Sequence, residues 1–241
     1  MNKRGLFQYF NGWKDASTGY DQDILEDLLF RGCSAFLNLE RMEIYCETCL
    51  KQYCNHKNEL NIKDQRIVFW SPTFVLLLNE FTPFLASLRI AQDLLWQSIS
   101  RTQPCKDQAP NHLSDAMKNL SKYKINPHIH RLLTEYWNNG GKELKKYRDL
   151  DVHHYAIIRH SFLQASPDEK ILIFLPDSPE EKNSNARKHA TFKLERDAVP
   201  YFRDQFYKFH KCAEETAETL GYPKKLIGQF VGMSQLGGIE R

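Results

Sequence analysis

From Asp21 onward the chain alternates apolar and polar residues with a helical period. "DQDILEDLLFRGCSAFLNL" places Ile24, Leu25, Leu28, Leu29 and Phe30 at helical spacing, and "LERMEIYCETCLKQYC" continues the stripe through Met42, Tyr45, Cys46, Cys49, Leu50 and Tyr53. The most apolar stretch comes next, "QRIVFWSPTFVLLLNEFTPFLASLRIAQDLLWQSISRT". Ser71-Pro72 opens it as a cap and first helical residue, and the helix runs on to Arg101 with a kink near Pro83. "LSDAMKNLSKYKI" and "PHIHRLLTEYWNN" read as two shorter helices, the second ended by Gly140-Gly141. A longer helix spans Lys142 to Gln164 and breaks at "SPDEK". The period then drops to two. Lys170–Pro176 and His189–Leu194 read as the strands of a hairpin, joined by "SPEEKNSNARK". Asp197 caps a final helix that Gly221-Tyr222-Pro223 stops. The start of the chain reads as irregular and residues 224–241 as a Gly-rich, loosely ordered tail.

The pattern therefore predicts a mainly α fold: a helical bundle with one small β-hairpin inserted before the C-terminal helix. No linker-like stretch interrupts it, so residues 1–241 read as one helical domain.

Composition narrows the class. The apolar share is 41% and the charged share 26%, an ordinary globular balance. A net charge of +3 is compatible with a nucleic-acid partner without demanding one. Gln8, Asn11, Lys14 and Asp15 break any secretory core near the start. "IVFWSPTFVLLLNEFTPFL" carries two prolines, an Asn and a Glu, short of the ~18 unbroken apolar residues of a membrane span. The expectation is a cytoplasmic protein that uses no membrane. Six cysteines at scattered spacings read as reduced thiols.

Candidate chemistry concentrates in "KKYRDLDVHHYAIIRHSF". At 100° per residue, Arg148, Val152, Tyr155 and Arg159 share one face, His153, Ile157 and His160 another, and Tyr147, Leu150, His154, Ile158 and Ser161 a third. Polar groups thus circle a helix whose place in the chain calls for burial. One explanation is a set of surface ion pairs at three- and four-residue spacing, each worth a few tenths of a kcal/mol. The other is a site.

"RDLDVH" resembles the R-polar-x3-H motif of the HEPN superfamily, helical-bundle proteins in which the Arg and His sit a few residues apart on a late helix. The helical context from Ser71 to Gly221 is similar as well, while the hairpin insert and the N-terminal region depart from that pattern. The resemblance implies a metal-independent endoribonuclease acting as a homodimer, with no cofactor. Arg148 and His153 would be catalytic, with Asp149 orienting them. Lys145, His154, Arg159 and His160 would be the binding residues around them. The residue types suit the reaction: an imidazole moves a proton near neutral pH, and a guanidinium stabilises charge on phosphoryl oxygens. Some members of the superfamily only bind nucleotides or protein partners, so a non-catalytic helical protein is the alternative.

A second candidate is "CETCLKQYCNH". Cys46, Cys49, Cys54 and His56 form a possible zinc set, which would make the chain a zinc-stabilised interaction module. Against it, Cys46 and Cys49 also belong to the buried stripe of the helix, with no glycine to make a knuckle turn.

Overall fold

A computed structural model describes residues 6–57, 67–68, 70–103, 109–153, 161–166, 170–177 and 191–225. The order of elements is α1 (Gln8–Ala16), α2 (Gly19–His56), β1 (Ile67–Val68), α3 (Pro72–Asn79), α4 (Phe81–Thr102), α5 (Leu113–Ala116), a 3-10 turn (Met117–Lys122), α6 (Pro127–Tyr136), a π-turn (Trp137–Gly141), α7 (Lys142–His153), β2 (Phe162–Ser166), β3 (Lys170–Phe174) and α8 (Ala198–Thr219). The mainly α class with one hairpin before the last helix is the observed one.

The long helix α2 is the spine. Its inner stripe, Leu25, Leu28, Ala35, Leu39 and Met42, is at most 1% exposed and packs chiefly on α4. Helix α4 answers with Phe84, Leu85, Leu88, Leu95 and Trp96, all fully buried. Phe202 of α8 closes the centre against the rings of Phe81 and Phe84, 5.0 and 4.9 Å away. Offset and edge-on ring pairs of this kind add to area burial.

The predicted Ser71-Pro72 start is present, and the Ser71 hydroxyl accepts the Phe74 amide at 3.1 Å. The kink falls at Glu80, between α3 and α4. Pro83 explains its place, because a proline ring clashes with the carbonyl four residues back, that of Asn79. Together Pro72–Thr102 is long and apolar enough by length and composition to cross a membrane, and 56% of its most apolar window lies buried inside the fold, as in a core helix.

Three expectations are corrected. Within the described residues the start is not irregular: Gln8–Ala16 forms α1, whose Phe10 and Trp13 are fully buried, and residues 1–5 lie outside the described residues. The helix carrying the motif does not reach Gln164, since Phe162–Ser166 is already a strand. That strand is also the true partner of β3, with Phe162 opposite Phe174 and Leu163 opposite Ile173. "FLQAS" alternates, burying Leu163 and Ala165, and a period of two fixes a strand. The proposed partner His189–Leu194 is no strand over its described part: 191–194 is a loop, held by Asp177 N–H to the Thr191 carbonyl at 2.7 Å. Residues 189–190 lie outside the described residues. A two-residue β1 adds to the other edge of β2, giving the order β1-β2-β3, antiparallel throughout.

Gly140 and Gly141 interrupt the helical run as expected: Gly140 is non-helical, at φ 173° and ψ −43°, and the π-turn they close joins α6 to α7 across a kink. A Cβ on Gly140 would stand 2.2 Å from Gln205 Oε1 of α8, and one on Gly141 2.8 Å from the Tyr136 ring. The glycines are there because α8 and Tyr136 approach the backbone closely.

The N-terminal helix is fastened from a distance. The Phe7 amide donates to His210 Nε2 at 3.0 Å, and the Tyr9 and Phe10 amides donate to the Glu214 carboxylate at 3.2 and 3.0 Å. Both acceptors stand on α8. The chain after α8 returns to the same place, with Tyr222 stacked on Trp13 at 5.4 Å and the Lys225 amide on the Gln8 carbonyl at 2.9 Å. Up to residue 225 the tail is therefore packed, and 226–241 lie outside the described residues.

Candidate functional site

Helix α7 positions the motif. Leu144, Tyr147 and Leu150, three residues apart, are 0, 0 and 2% exposed and anchor its inner face. Among its polar residues Lys142 is exposed, while Glu143, Lys145, Lys146, Arg148, Asp149 and Asp151 are half-buried. This is the partial burial that a ring of polar residues implies.

Lys145, Arg148 and Asp149 come together. The Lys145 ammonium and the Arg148 guanidinium both bond the Asp149 carboxylate, Arg148 Nη1 lying 3.2 Å from Oδ1. Each of the three side chains keeps about a third of its exposure (33, 34 and 31%), so the group is reachable from solvent. Burial pushes the Asp149 carboxyl up, but the Lys145 bond and charge, then those of Arg148, outweigh it and hold the group below the usual carboxylate range. At neutral pH the cluster is two cations sharing one carboxylate, a net positive spot. Asp151 accepts from the Thr82 hydroxyl at 2.6 Å, tying α7 to α4.

His153 is the last residue of α7. His154, Arg159 and His160 lie outside the described residues, so the structure assembles Lys145, Arg148 and Asp149 and does not bear on the rest of the set.

A second polar cluster sits beside the first, and sequence reasoning missed it. Arg196 bonds Glu143 at 2.7 Å and the Tyr147 hydroxyl at 3.0 Å, and its guanidinium lies 4.5 Å from the Tyr201 ring centre. Tyr147 donates in turn to the Pro176 carbonyl at 2.9 Å. Burial pushes the Tyr147 hydroxyl up to about 12 and Tyr201 higher still. Every polar partner here is engaged, which makes it a fastening between α7, α8 and the segment after β3. Arg196 lies 53 residues from Glu143, and no local spacing could announce the pair.

The cysteine candidates lie along α2. Cys46 to His56 spans ten residues of continuous helix, ~15 Å of rise, which spreads the four donors out rather than folding them round one point. Cys49 is buried with its sulfur 3.8 Å from the Ser71 hydroxyl. Burial, with lesser help from Asp197, Cys49 and Glu47, pushes the Cys46 thiol up to about 11, and burial raises Cys49 too. Both are kept as thiols, whereas zinc takes thiolates. Among the described residues no group of three or more metal-type donors converges.

Comparison with protein-family models, with curated proteins and with solved structures gives no match for this chain.

Proposed function

We propose that the chain is a HEPN-like endoribonuclease that works without a metal ion, two copies meeting across α7. The observation that carries this reading is the half-buried Lys145–Arg148–Asp149 cluster on the helix that ends at His153. RNA brings its own nucleophile, the 2′-hydroxyl. His153 takes that proton or returns one to the leaving 5′-oxygen. Arg148 faces the charge developing on the phosphoryl oxygens, and Asp149 keeps the guanidinium oriented by a charge-assisted bond. Lys145 adds a second cation for the phosphodiester.

The alternative is a non-catalytic protein that binds a nucleotide or partner at the same cluster. Its support is that Asp149 already engages both cations in the free chain, which weakens their hold on a transition state.

The test is cleavage of a fluorescent mixed-sequence RNA in the presence of a chelator. Arg148→Ala and His153→Ala are each expected to lose about 10²-fold in rate with an unchanged melting temperature. Wild-type protein that binds RNA without cutting it would move the conclusion to the binding protein. If either variant melts while no nucleic acid or nucleotide binds, the cluster is structural.

A further inference from the structure

We propose that the outer face of α2 pairs with α2 of a second copy of this chain, antiparallel, about a two-fold axis at Leu37. On that face Asp23, Phe30, Leu37, Ile44 and Lys51 follow one another at intervals of seven residues, and all five are exposed. The three apolar members are 63, 49 and 58% exposed, among the most exposed large apolar side chains described. They lie opposite the buried stripe of Leu28, Ala35, Leu39 and Met42 that holds α2 in the bundle. Seven residues is two helical turns less ~20°, so the row is nearly straight and matches the seam of a helix pair.

The row has a symmetry that selects its partner. Leu37 is central, Phe30 and Ile44 stand seven residues to either side, and Asp23 and Lys51 stand fourteen to either side. In an antiparallel pair about Leu37, Leu37 meets Leu37, Phe30 meets Ile44, and each Asp23 meets the other copy's Lys51. A two-fold interface must be self-complementary in this way. The parallel pair in register would instead set Asp23 on Asp23 and Lys51 on Lys51. Cys33 and Ser34, small residues beside the row, leave room for close approach. The row runs ~42 Å, but it is a single line rather than a full two-position seam, so the dimer is a transient one of modest affinity. The contact uses no residue of α7 and stands apart from the ribonuclease reading.

Sedimentation of the full chain over a range of concentrations reads the pairing directly. A reversible association step that depends on Leu37 is expected, from monomer to dimer or, with α7 also paired, from dimer to tetramer, and Leu37→Glu should weaken that step at least about tenfold while circular dichroism stays unchanged. Asp23→Lys and Lys51→Asp should each weaken it, and the two together should restore it. On oxidation Leu37→Cys should link to itself, whereas Ile44→Cys should link only to a Phe30→Cys copy. A chain that stays monomeric at every reachable concentration overturns the proposal. So does an assembly in which every association step is indifferent to Leu37→Glu, and so does an Ile44→Cys self-link.

Discussion

His210 makes acid the sharpest perturbation of this fold. Its Nε2 accepts the Phe7 amide at 3.0 Å, which requires the neutral ring, and the Phe7 ring edge-on at 4.8 Å and the Phe206 ring stacked at 6.2 Å help to bury it. Burial pushes the imidazole down to about 4 from its ordinary 6.5. The folded state therefore binds fewer protons than the unfolded chain between those values. Stability from this group is complete above about pH 6.5 and is lost as pH falls towards 4. At ~1.4 kcal/mol per pH unit the whole loss is about 3 kcal/mol, an upper figure for one partly shielded ring. Glu214, one turn along α8, has a carboxyl raised by burial and so contributes with the opposite sign. The assay must therefore be a difference. Urea unfolding of wild type and of His210→Gln at pH 4 to 8 isolates the imidazole, because glutamine can still accept the Phe7 amide but does not titrate. The difference should be flat above pH 7 and shrink by up to about 3 kcal/mol on acidification. A difference that stays level down to pH 4 would show that the ring is not buried neutral and that the account of α1 fastening is wrong.

Two further substitutions probe the packing. Glu214→Ala removes the acceptor of two amides in the first turn of α1 and is expected to cost about 2 kcal/mol in urea unfolding at pH 7, followed by circular dichroism. Gly140→Ala drives a methyl group against Gln205 Oε1 and should cost about 1–3 kcal/mol. Adding Gln205→Ala should recover much of that, which a merely helix-breaking glycine would not allow.

The helices were legible because their signals are local. The stripe of α2, the Ser71-Pro72 start and the Gly221 stop each depend on residues within a turn or two of one another. What escaped the sequence depends on distant partners. Helix α1 is short, and its amides are satisfied by side chains more than 200 residues away. "FLQAS" continues a helical-looking stretch, and only the facing strand Lys170–Phe174 makes its alternation matter. At the candidate site the (i, i+4) pair of Lys145 and Asp149 could be read from spacing, whereas Arg196 meeting Glu143 could not. Gly140 reads as punctuation and does kink the chain, but nothing in its neighbourhood names the glutamine that lies over it.

The fastening of α1 to α8 also sets an order of events. Phe7 and His210 are 203 residues apart, so the acceptors that hold α1 are synthesised long after the helix itself. At ~5–20 residues per second the first helix waits roughly 10–40 s for its acceptors. During that time Phe7, Phe10 and Trp13 have no α8 to cover them. A nine-residue helix is too short to persist alone in water. Until α8 is made, α1 therefore leaves its apolar face without that cover, and a nascent chain in that interval is open to aggregation or to a chaperone.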